Sequence, residues 1–155
     1  MSVSERSRTE LIARVKEIVA RGGDADEKLK AICSLLRREV PHYDWVGFYV
    51  ADADEKELIL GPFAGEPTEH VRIPFGRGIC GRAATERKTV VVDDVSCEAC
   101  YLACSPLVRS EVVLPVFKGN RPVAELDIDS HTPEAFTNED LAFLEEVVRV
   151  VRDLF

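Results

Sequence analysis

Thiol groups give this chain its clearest capacity for chemistry, because three of its five cysteines, Cys97, Cys100 and Cys104, fall within eight residues. Thiolates are nucleophiles and metal ligands, so this spacing favours redox chemistry or a zinc site that takes Cys80 or His70 as its fourth ligand. The second Cys-x-x-Cys pair of a typical zinc site is absent from the sequence. We therefore expect redox chemistry without a bound metal, and zinc is the alternative.

The other two cysteines occur in different settings. Cys80 follows the segment Gly76-Arg77-Gly78-Ile79 and starts a predicted helix. The backbone amides and the dipole at a helix start, together with Arg77, favour a thiolate at this position. The alternative is a buried cysteine in a tight turn. Cys33 lies among apolar residues of an earlier predicted helix, and we interpret it as a core residue.

Four acidic residues gather on two predicted strands in the last third of the chain. Glu111 begins one strand, and Glu125, Asp127 and Asp129 alternate along the next. Because side chains alternate across a strand, these three share one face and apolar residues take the other. The acidic face is either solvated or lines a pocket that receives a cation.

The hydrophobic pattern predicts the elements that must position these residues. Apolar residues recur at helical spacing near both termini, and the last helix is predicted to be capped by Thr137 with Asp140. The pattern in the middle of the chain predicts strands joined by turns. The first of these strands carries Trp45 and Tyr49 on one face as core aromatic residues. The predicted elements are helices over 4–20 and 24–40, strands over 45–50, 57–60 and 71–73, a helix over 79–87, a strand over 89–92, a loop over 93–109, strands over 111–118 and 122–129, and a final helix. This order predicts an α+β fold, in which the N- and C-terminal helices flank one side of an antiparallel sheet and the cysteine loop lies on the other.

Composition and charge exclude several classes of protein. The 155 residues are 46% hydrophobic and 31% charged, as in an ordinary globular domain. A net charge of −8 makes a phosphate backbone a poor partner, so we expect no nucleic-acid binding. The sequence has no apolar run that could span a membrane and no recognisable signal peptide, so we expect a cytoplasmic protein without membrane contacts.

Six motifs occur in order along the chain: Asp44-Trp45-Val46-Gly47-Phe48-Tyr49, Leu60-Gly61-Pro62-Phe63, Val71-Arg72-Ile73-Pro74-Phe75-Gly76-Arg77-Gly78-Ile79-Cys80-Gly81, Ala103-Cys104, Ser110-Glu111-Val112-Val113-Leu114-Pro115 and Leu126-Asp127-Ile128-Asp129-Ser130. Together they resemble the free methionine-(R)-sulfoxide reductases, which are stand-alone GAF-domain enzymes. The resemblance runs from about residue 28 to the C-terminus. It implies a single GAF domain over residues 1–155, with residues 1–27 as an N-terminal helical extension.

The resemblance also implies a reaction, the reduction of free L-methionine (R)-S-oxide to methionine. Cys104 corresponds to the catalytic thiol, which becomes a sulfenic acid and then a disulfide with a second thiol. A thioredoxin-type donor would reduce that disulfide, and no cofactor is implied. Trp45 and Tyr49 correspond to aromatic residues that pack against the methyl-thioether end of the substrate. The family's acids hold the substrate ammonium and assist protonation of the sulfoxide oxygen, and they correspond to Glu111, Asp127 and Asp129.

One departure from the family pattern concerns the second thiol. Many members carry a further cysteine ten residues before the position of Cys80, and here that place is His70. We expect Cys80 to be the principal resolving thiol, with Cys97 or Cys100 relaying the disulfide to the external reductant. His70 is interpreted as a surface residue, and a base or hydrogen-bond donor near the substrate is the alternative.

Two other classes of function and one assembly are also consistent with the sequence. A GAF module can bind a small ligand as a non-enzymatic sensor, and the same cysteines would serve a zinc-binding redox switch. The apolar stripe of the first predicted helix suggests homodimerisation.

Overall fold

In a computed structural model that describes residues 4–97 and 106–155, the chain folds into four α-helices and six β-strands. A short 3-10 helix spans Val95–Cys97, and a second one, Arg152–Leu154, follows the last α-helix. The α-helices are α1 (Glu5–Ala20), α2 (Ala25–Glu39), α3 (Gly78–Glu86) and α4 (Asn138–Val151). The strands are β1 (Trp45–Asp52), β2 (Glu57–Ala64), β3 (Arg72–Pro74), β4 (Val90–Val92), β5 (Ser110–Lys118) and β6 (Arg121–Ser130).

The six strands form one antiparallel sheet in the order β3-β2-β1-β6-β5-β4. Two hairpins, β1–β2 and β5–β6, meet where β6 pairs with β1, so β1 and β6 lie at the centre. In this register Asp127 lies opposite Gly47 of β1, and Asp129 lies opposite Glu111 of β5. The predicted α+β class and antiparallel sheet are confirmed, and each predicted helix and strand is present within a few residues of its expected bounds. The predicted loop over 93–109 lies partly outside the described residues.

Helices α2 and α4 cover one face of the sheet, α1 packs against both of them, and the three helices enclose the larger hydrophobic core. The sheet contributes alternate residues to this core, among them Phe48, Leu114 and Leu126, each no more than 1% exposed. Cys33 of α2 is fully buried there and its Sγ donates a hydrogen bond to the Pro62 carbonyl oxygen at 3.6 Å, so its interpretation as a core residue is confirmed.

The apolar stripe of α1 is buried inside the chain rather than presented to a second copy. Leu11, Ile12 and Val15 are at most 7% exposed and belong to the same core as α4. The stripe therefore gives no support to a homodimer. Among the helices of the described residues, none combines the length and the apolar character needed to cross a membrane.

Helix α3 packs on the opposite face of the sheet over a second, smaller core. Ile79, Cys80 and Ala83 of α3 contact this core together with the aromatic residues of β1. Val95 and Val108, on either side of residues 98–105, are also buried in it. The two faces of the sheet therefore have different partners, and β6 is covered on both.

A buried polar cluster fixes the start of α4 to the segment that leads into β1. The Tyr43 hydroxyl donates to Asp140 Oδ1 at 2.8 Å, and His42 Nε2 lies 3.2 Å from the same oxygen. The backbone N–H and the hydroxyl of Thr137 both donate to Asp140 Oδ2 at 3.0 Å, which completes the predicted capping box. Burial alone would raise the pKa of Asp140, but these hydrogen bonds, led by that of His42, lower it to about 2.

This cluster predicts a pH-dependent contribution to stability. Because folding lowers the pKa of Asp140 from 3.8 to about 2, the ionised carboxylate stabilises the fold above about pH 4, and the contribution disappears as the pH falls through 2. We expect Asp140→Asn to lower the free energy of unfolding by about 1–3 kcal/mol at pH 7. Urea unfolding of both proteins at pH 7, 4 and 2.5 measures the difference, which should shrink as the pH falls.

The exposed carboxylate of Asp153 provides the matched control. Asp153→Asn should change the free energy of unfolding by no more than about 0.5 kcal/mol at any of these pH values. An Asp140→Asn protein that loses equal stability at pH 7 and pH 2.5 would show that the side chain acts through its shape and not through its charge.

Candidate active site

The four acidic side chains predicted to share a surface lie on the α3 face of the sheet, and all are buried. Glu111 on β5 is 4% exposed, and Glu125, Asp127 and Asp129 on β6 are 2%, 1% and 0% exposed. The alternation along β6 that predicted one acidic and one apolar face is therefore correct. The solvated alternative is wrong, because α3 and the ends of the 95–108 segment cover this face.

A glycine-rich turn sets Cys80 above the acids. Gly76 and Gly78 have φ angles of 88° and 63°, which glycine adopts without a steric penalty. The turn closes through hydrogen bonds from Gly76 N to Gly81 O and from Gly81 N to Arg77 O. A Cβ at Gly81 would lie 2.6 Å from the Pro74 carbonyl oxygen, so only glycine permits this close approach. Cys80 thereby enters the first turn of α3 with its side chain directed into the smaller core.

The thiol of Cys80 and the carboxyl groups of Glu111 and Asp127 form a compact buried cluster. One donor atom from each of the three residues lies within 4.8 Å of the other two. The side chains of Glu111 and Cys80 both hydrogen-bond to the Asp127 carboxyl group. A hydrogen bond between two carboxyl groups requires a proton between them, so this pair holds an acidic proton inside the site.

Burial and mutual repulsion disfavour charge in this cluster. Burial raises the pKa of Asp127, and the hydrogen bonds from Glu111 and Cys80 only partly oppose it. Burial also raises the pKa of Cys80 well above its ordinary value, and the nearby carboxylates, led by Asp127, raise it further. The prediction that Cys80 favours a thiolate is therefore wrong. Its thiol faces acids, whereas the side chain of Arg77 is exposed and its charge is screened by water.

Glu125 lies on the buried acidic face, as the alternation along β6 predicted. Neither carboxyl oxygen has a hydrogen-bond partner within the described residues. Burial, and then the neighbouring Asp127, raise the pKa of Glu125 well above its usual range. A carboxylate without hydrogen bonds is costly to bury, so we expect this side chain to be protonated at neutral pH. The period-two pattern that joins it to Asp127 was the available signal.

Trp45 and Tyr49 lie beside the acids on the same face, as their spacing predicted. The Trp45 ring stacks on Phe63 at 5.5 Å, and a Cβ at Gly47 would lie 2.3 Å from the indole. The absence of a side chain at Gly47 therefore leaves room for the indole ring of Trp45. The Trp45 indole N–H donates to the Glu66 carbonyl oxygen at 2.9 Å, and the Tyr49 hydroxyl donates to the His70 carbonyl oxygen at 2.9 Å.

Some of the acidic, thiol and aromatic side chains described above line one small cavity. Only about 10 Å³ of it is open to the centre of a water-sized sphere, which is room for about one water molecule. Its lining includes two of the predicted acids, Cys80 and one of the predicted aromatic residues. The lining residues are Tyr49, His70, Ile73, Arg77, Gly78, Ile79, Cys80, Glu111 and Asp127.

The position of His70 corrects its interpretation as a surface residue. Its side chain is half-buried and lines the cavity. Trp45 and Asp129 are buried beside the cavity but are absent from its lining. Two larger surface grooves lie between α1 and α4 and between α1 and α2, and they contain none of the predicted site residues.

Three predicted site residues lie beyond what the structure describes. Cys100 and Cys104 belong to residues 98–105, which are outside the described ranges, and only the backbone of Cys97 is described, at the end of the 3-10 helix. Among the described residues, the group that could hold a metal ion is Cys80 with Glu111 and Asp127. The geometry therefore establishes an acidic, thiol-containing cavity, and the place of Cys104 in it stays a prediction.

Comparison with known proteins places this arrangement in a family. The sequence profile of the GAF domain matches residues 23–153. The free methionine-R-sulfoxide reductase of Escherichia coli is 38% identical over 115 residues, covering 74% of this chain and 68% of that protein. GAF domain-containing protein A of Dictyostelium discoideum is 32% identical over 155 residues, covering 97% of this chain and 96% of that protein.

A solved structure agrees with these matches. The X-ray structure of the free methionine-R-sulfoxide reductase from Neisseria meningitidis, determined in complex with its substrate, is similar to this fold with a TM-score of 0.90. The two sequences are 36% identical, and the match covers 100% of this chain and 93% of the other. From its GAF fold and these relatives, the chain belongs to the free methionine-R-sulfoxide reductases, a family of oxidoreductases.

Proposed function

We propose that this protein reduces free methionine (R)-sulfoxide to methionine, using Cys104 as the nucleophile. The observation that carries the proposal is the buried cluster of Cys80, Glu111 and Asp127 at a cavity lined by Tyr49. The cluster offers negative charge for an ammonium group and a proton for a sulfoxide oxygen, both buried where water competes little. The related reductases supply the substrate class.

In the proposed first step, the Cys104 thiolate attacks the sulfoxide sulfur. The S–O bond of the sulfoxide breaks, and the oxygen is protonated and transferred to Cys104, which leaves methionine and a Cys104 sulfenic acid. We propose that the proton held by the Glu111 and Asp127 pair protonates this oxygen. Asp129, fully buried beside this pair, adds negative charge for the ammonium of the substrate.

In the proposed second step, the Cys80 thiol displaces the hydroxyl of the sulfenic acid. A disulfide between Cys80 and Cys104 forms, and the oxygen leaves as water. Although the raised pKa of Cys80 keeps it a thiol at neutral pH, its hydrogen bond to Asp127 gives the departing proton an acceptor. The thiolate is then needed only during the attack itself.

The aromatic residues and the size of the cavity bear on how the substrate is held. We propose that Tyr49 and Trp45 contact the methyl-thioether end, since both rings lie on the same buried face as the acids. A cavity with room for one water cannot contain an amino acid, so substrate binding requires its lining to open. His70 and the exposed Arg77 are the described polar residues of this lining that are not fully buried.

Regeneration needs an external dithiol, and we propose a thioredoxin-type donor in a cytoplasmic setting. Two electrons from the donor return the Cys80–Cys104 disulfide to thiols, so no bound cofactor is required. Cys97 or Cys100 is proposed to relay the disulfide toward the donor. Homodimerisation stays a prediction without support from the packing of α1.

The first prediction concerns the nucleophile. Replacing Cys104 with serine should abolish turnover, because an alcohol is a far poorer nucleophile than a thiolate at neutral pH. NADPH consumption coupled through thioredoxin reductase and thioredoxin measures the rate with free methionine (R)-sulfoxide. Cys33→Ala is the matched control, since that thiol lies in the core on the other face of the sheet and should be dispensable for turnover. Substantial activity in Cys104→Ser would disprove the assignment.

The second prediction concerns recognition of the ammonium group. Asp127→Asn and Glu111→Gln should each lower kcat/KM for the free amino acid by a factor on the order of a hundred, because a buried charge pair loses one partner. The wild-type protein should reduce N-acetylmethionine sulfoxide far more slowly than the free form. Asp54→Asn, at the exposed β1–β2 turn, should leave both rates unchanged. Equal wild-type rates on the free and acetylated substrates would mean that the acids do not bind ammonium.

The third prediction concerns the order of disulfides. After one equivalent of methionine sulfoxide and no reductant, mass mapping should find a Cys80–Cys104 bridge in the first trapped species. Cys80→Ala should then accumulate the Cys104 sulfenic acid, detectable with a dimedone probe. A first bridge from Cys104 to Cys97 or Cys100, with Cys80 still open to alkylation under denaturing conditions, would reverse the proposed order.

A further inference from the structure

The cluster at the base of the cavity has the features of a cation site that binds metal ions as well as ammonium groups. Cys80, Glu111 and Asp127 supply one sulfur and two oxygen donors within 4.8 Å of one another, and each residue is at most 5% exposed. Asp127 Oδ1, which is buried, has no hydrogen-bond partner within the described part of the chain. An unpaired buried oxygen in a thiol-containing cluster therefore has capacity for one more ligand contact.

We propose that Cys80, Glu111 and Asp127 bind a divalent metal ion of the zinc class, and that this ion excludes the substrate from the site. Magnesium and calcium prefer all-oxygen ligands, and copper(I) prefers several soft sulfur ligands. A mixed set of one thiolate and two carboxylates fits Zn²⁺, which accepts sulfur, nitrogen and oxygen in a tetrahedral arrangement.

The distances permit this coordination with a small adjustment of side chains. Bonds of about 2.0–2.3 Å from a tetrahedral zinc ion place its ligand atoms roughly 3.3–3.7 Å apart. The observed separations are all within 4.8 Å, so none needs to shorten by more than roughly 1.5 Å.

The cavity also leaves space at the fourth coordination position. Its volume accommodates about one water molecule, and His70 lines the same space with an imidazole that can bind zinc in place of that water. One metal ion or one water fits the cavity at its present size, whereas an amino acid requires its lining to open. The metal and the ammonium group would compete for the same carboxylates, so metal binding would inhibit the enzyme.

Metal binding by itself is independent of the proposed reaction, and only the competition rests on it. The test uses the full-length chain carrying Cys97→Ser, Cys100→Ser and Cys104→Ser, which leaves Cys33 and Cys80 as the remaining thiols. Co²⁺ reports thiolate ligation through its sulfur-to-metal charge-transfer absorption, and calorimetry with Zn²⁺ gives the stoichiometry and Kd. Circular dichroism verifies that each variant is folded.

The expected result is one Zn²⁺ per chain and a charge-transfer band with Co²⁺. Adding Cys80→Ala should abolish the band, and adding Asp127→Asn should weaken Zn²⁺ binding at least about tenfold. Adding Cys33→Ala instead should change neither, because that thiol lies on the other face of the sheet. Should Asp127→Asn fail to fold, the pair of cysteine variants decides the ligand.

Two results would overturn the inference. Loss of all metal binding in the triple-serine protein would assign the metal to the thiols of residues 97–104. A charge-transfer band that survives Cys80→Ala would exclude Cys80 as a ligand. Free methionine sulfoxide should raise the apparent Kd for Zn²⁺ in the triple-serine protein, where no turnover is possible. Binding of metal that the sulfoxide does not affect would retain the metal site and refute the exclusion of substrate from it.

Discussion

The burial of β6 on both faces is the constraint from which the rest of the architecture follows. Along one strand, Leu126 and Ile128 pack beneath the helices, while Asp127 and Asp129 face α3. The apolar and acidic residues cannot exchange places. The face that carries Leu126 and Ile128 excludes water through apolar packing, whereas the face that carries Asp127 and Asp129 is shielded from water by α3. The helical layer supplies the stability that allows carboxyl groups to be held in a desolvated position on the opposite side.

The same acidity has opposite effects on the two kinds of group that meet in the cavity. It would favour the cation proposed to bind at Asp127 and Glu111, and it opposes ionisation of the thiol of Cys80. If Cys80 is the resolving cysteine proposed above, its un-ionised thiol is protected at rest from oxidation by peroxides, which react with thiolates. The thiol still reacts, because the carboxyl group that accepts its hydrogen bond can also accept its proton during the attack.

Local patterns were sufficient to predict the fold class, both hairpins, the capping box at Thr137 and the shared face of the acids. They failed for Cys80, since a helix start and a neighbouring arginine describe only the local chain. The carboxylates that control this thiol come from β5 and β6, more than thirty residues away. They failed for His70 for a related reason. Whether a polar side chain is exposed to solvent depends on which distant segment packs over it, and the spacing of residues in the sequence does not reveal that.

The register of the central strands has a consequence for how this protein can change in evolution. Substitutions on β6 alter one face at a time, and each face can adapt to them separately. A single inserted or deleted residue between the β5–β6 turn and Asp127 would instead turn acidic side chains such as Asp129 into the helical core. Apolar side chains such as Ile128 would then face Cys80. The length of this strand is therefore under stricter selection than most of its side chains, and related proteins should differ here by replacement and almost never by gaps.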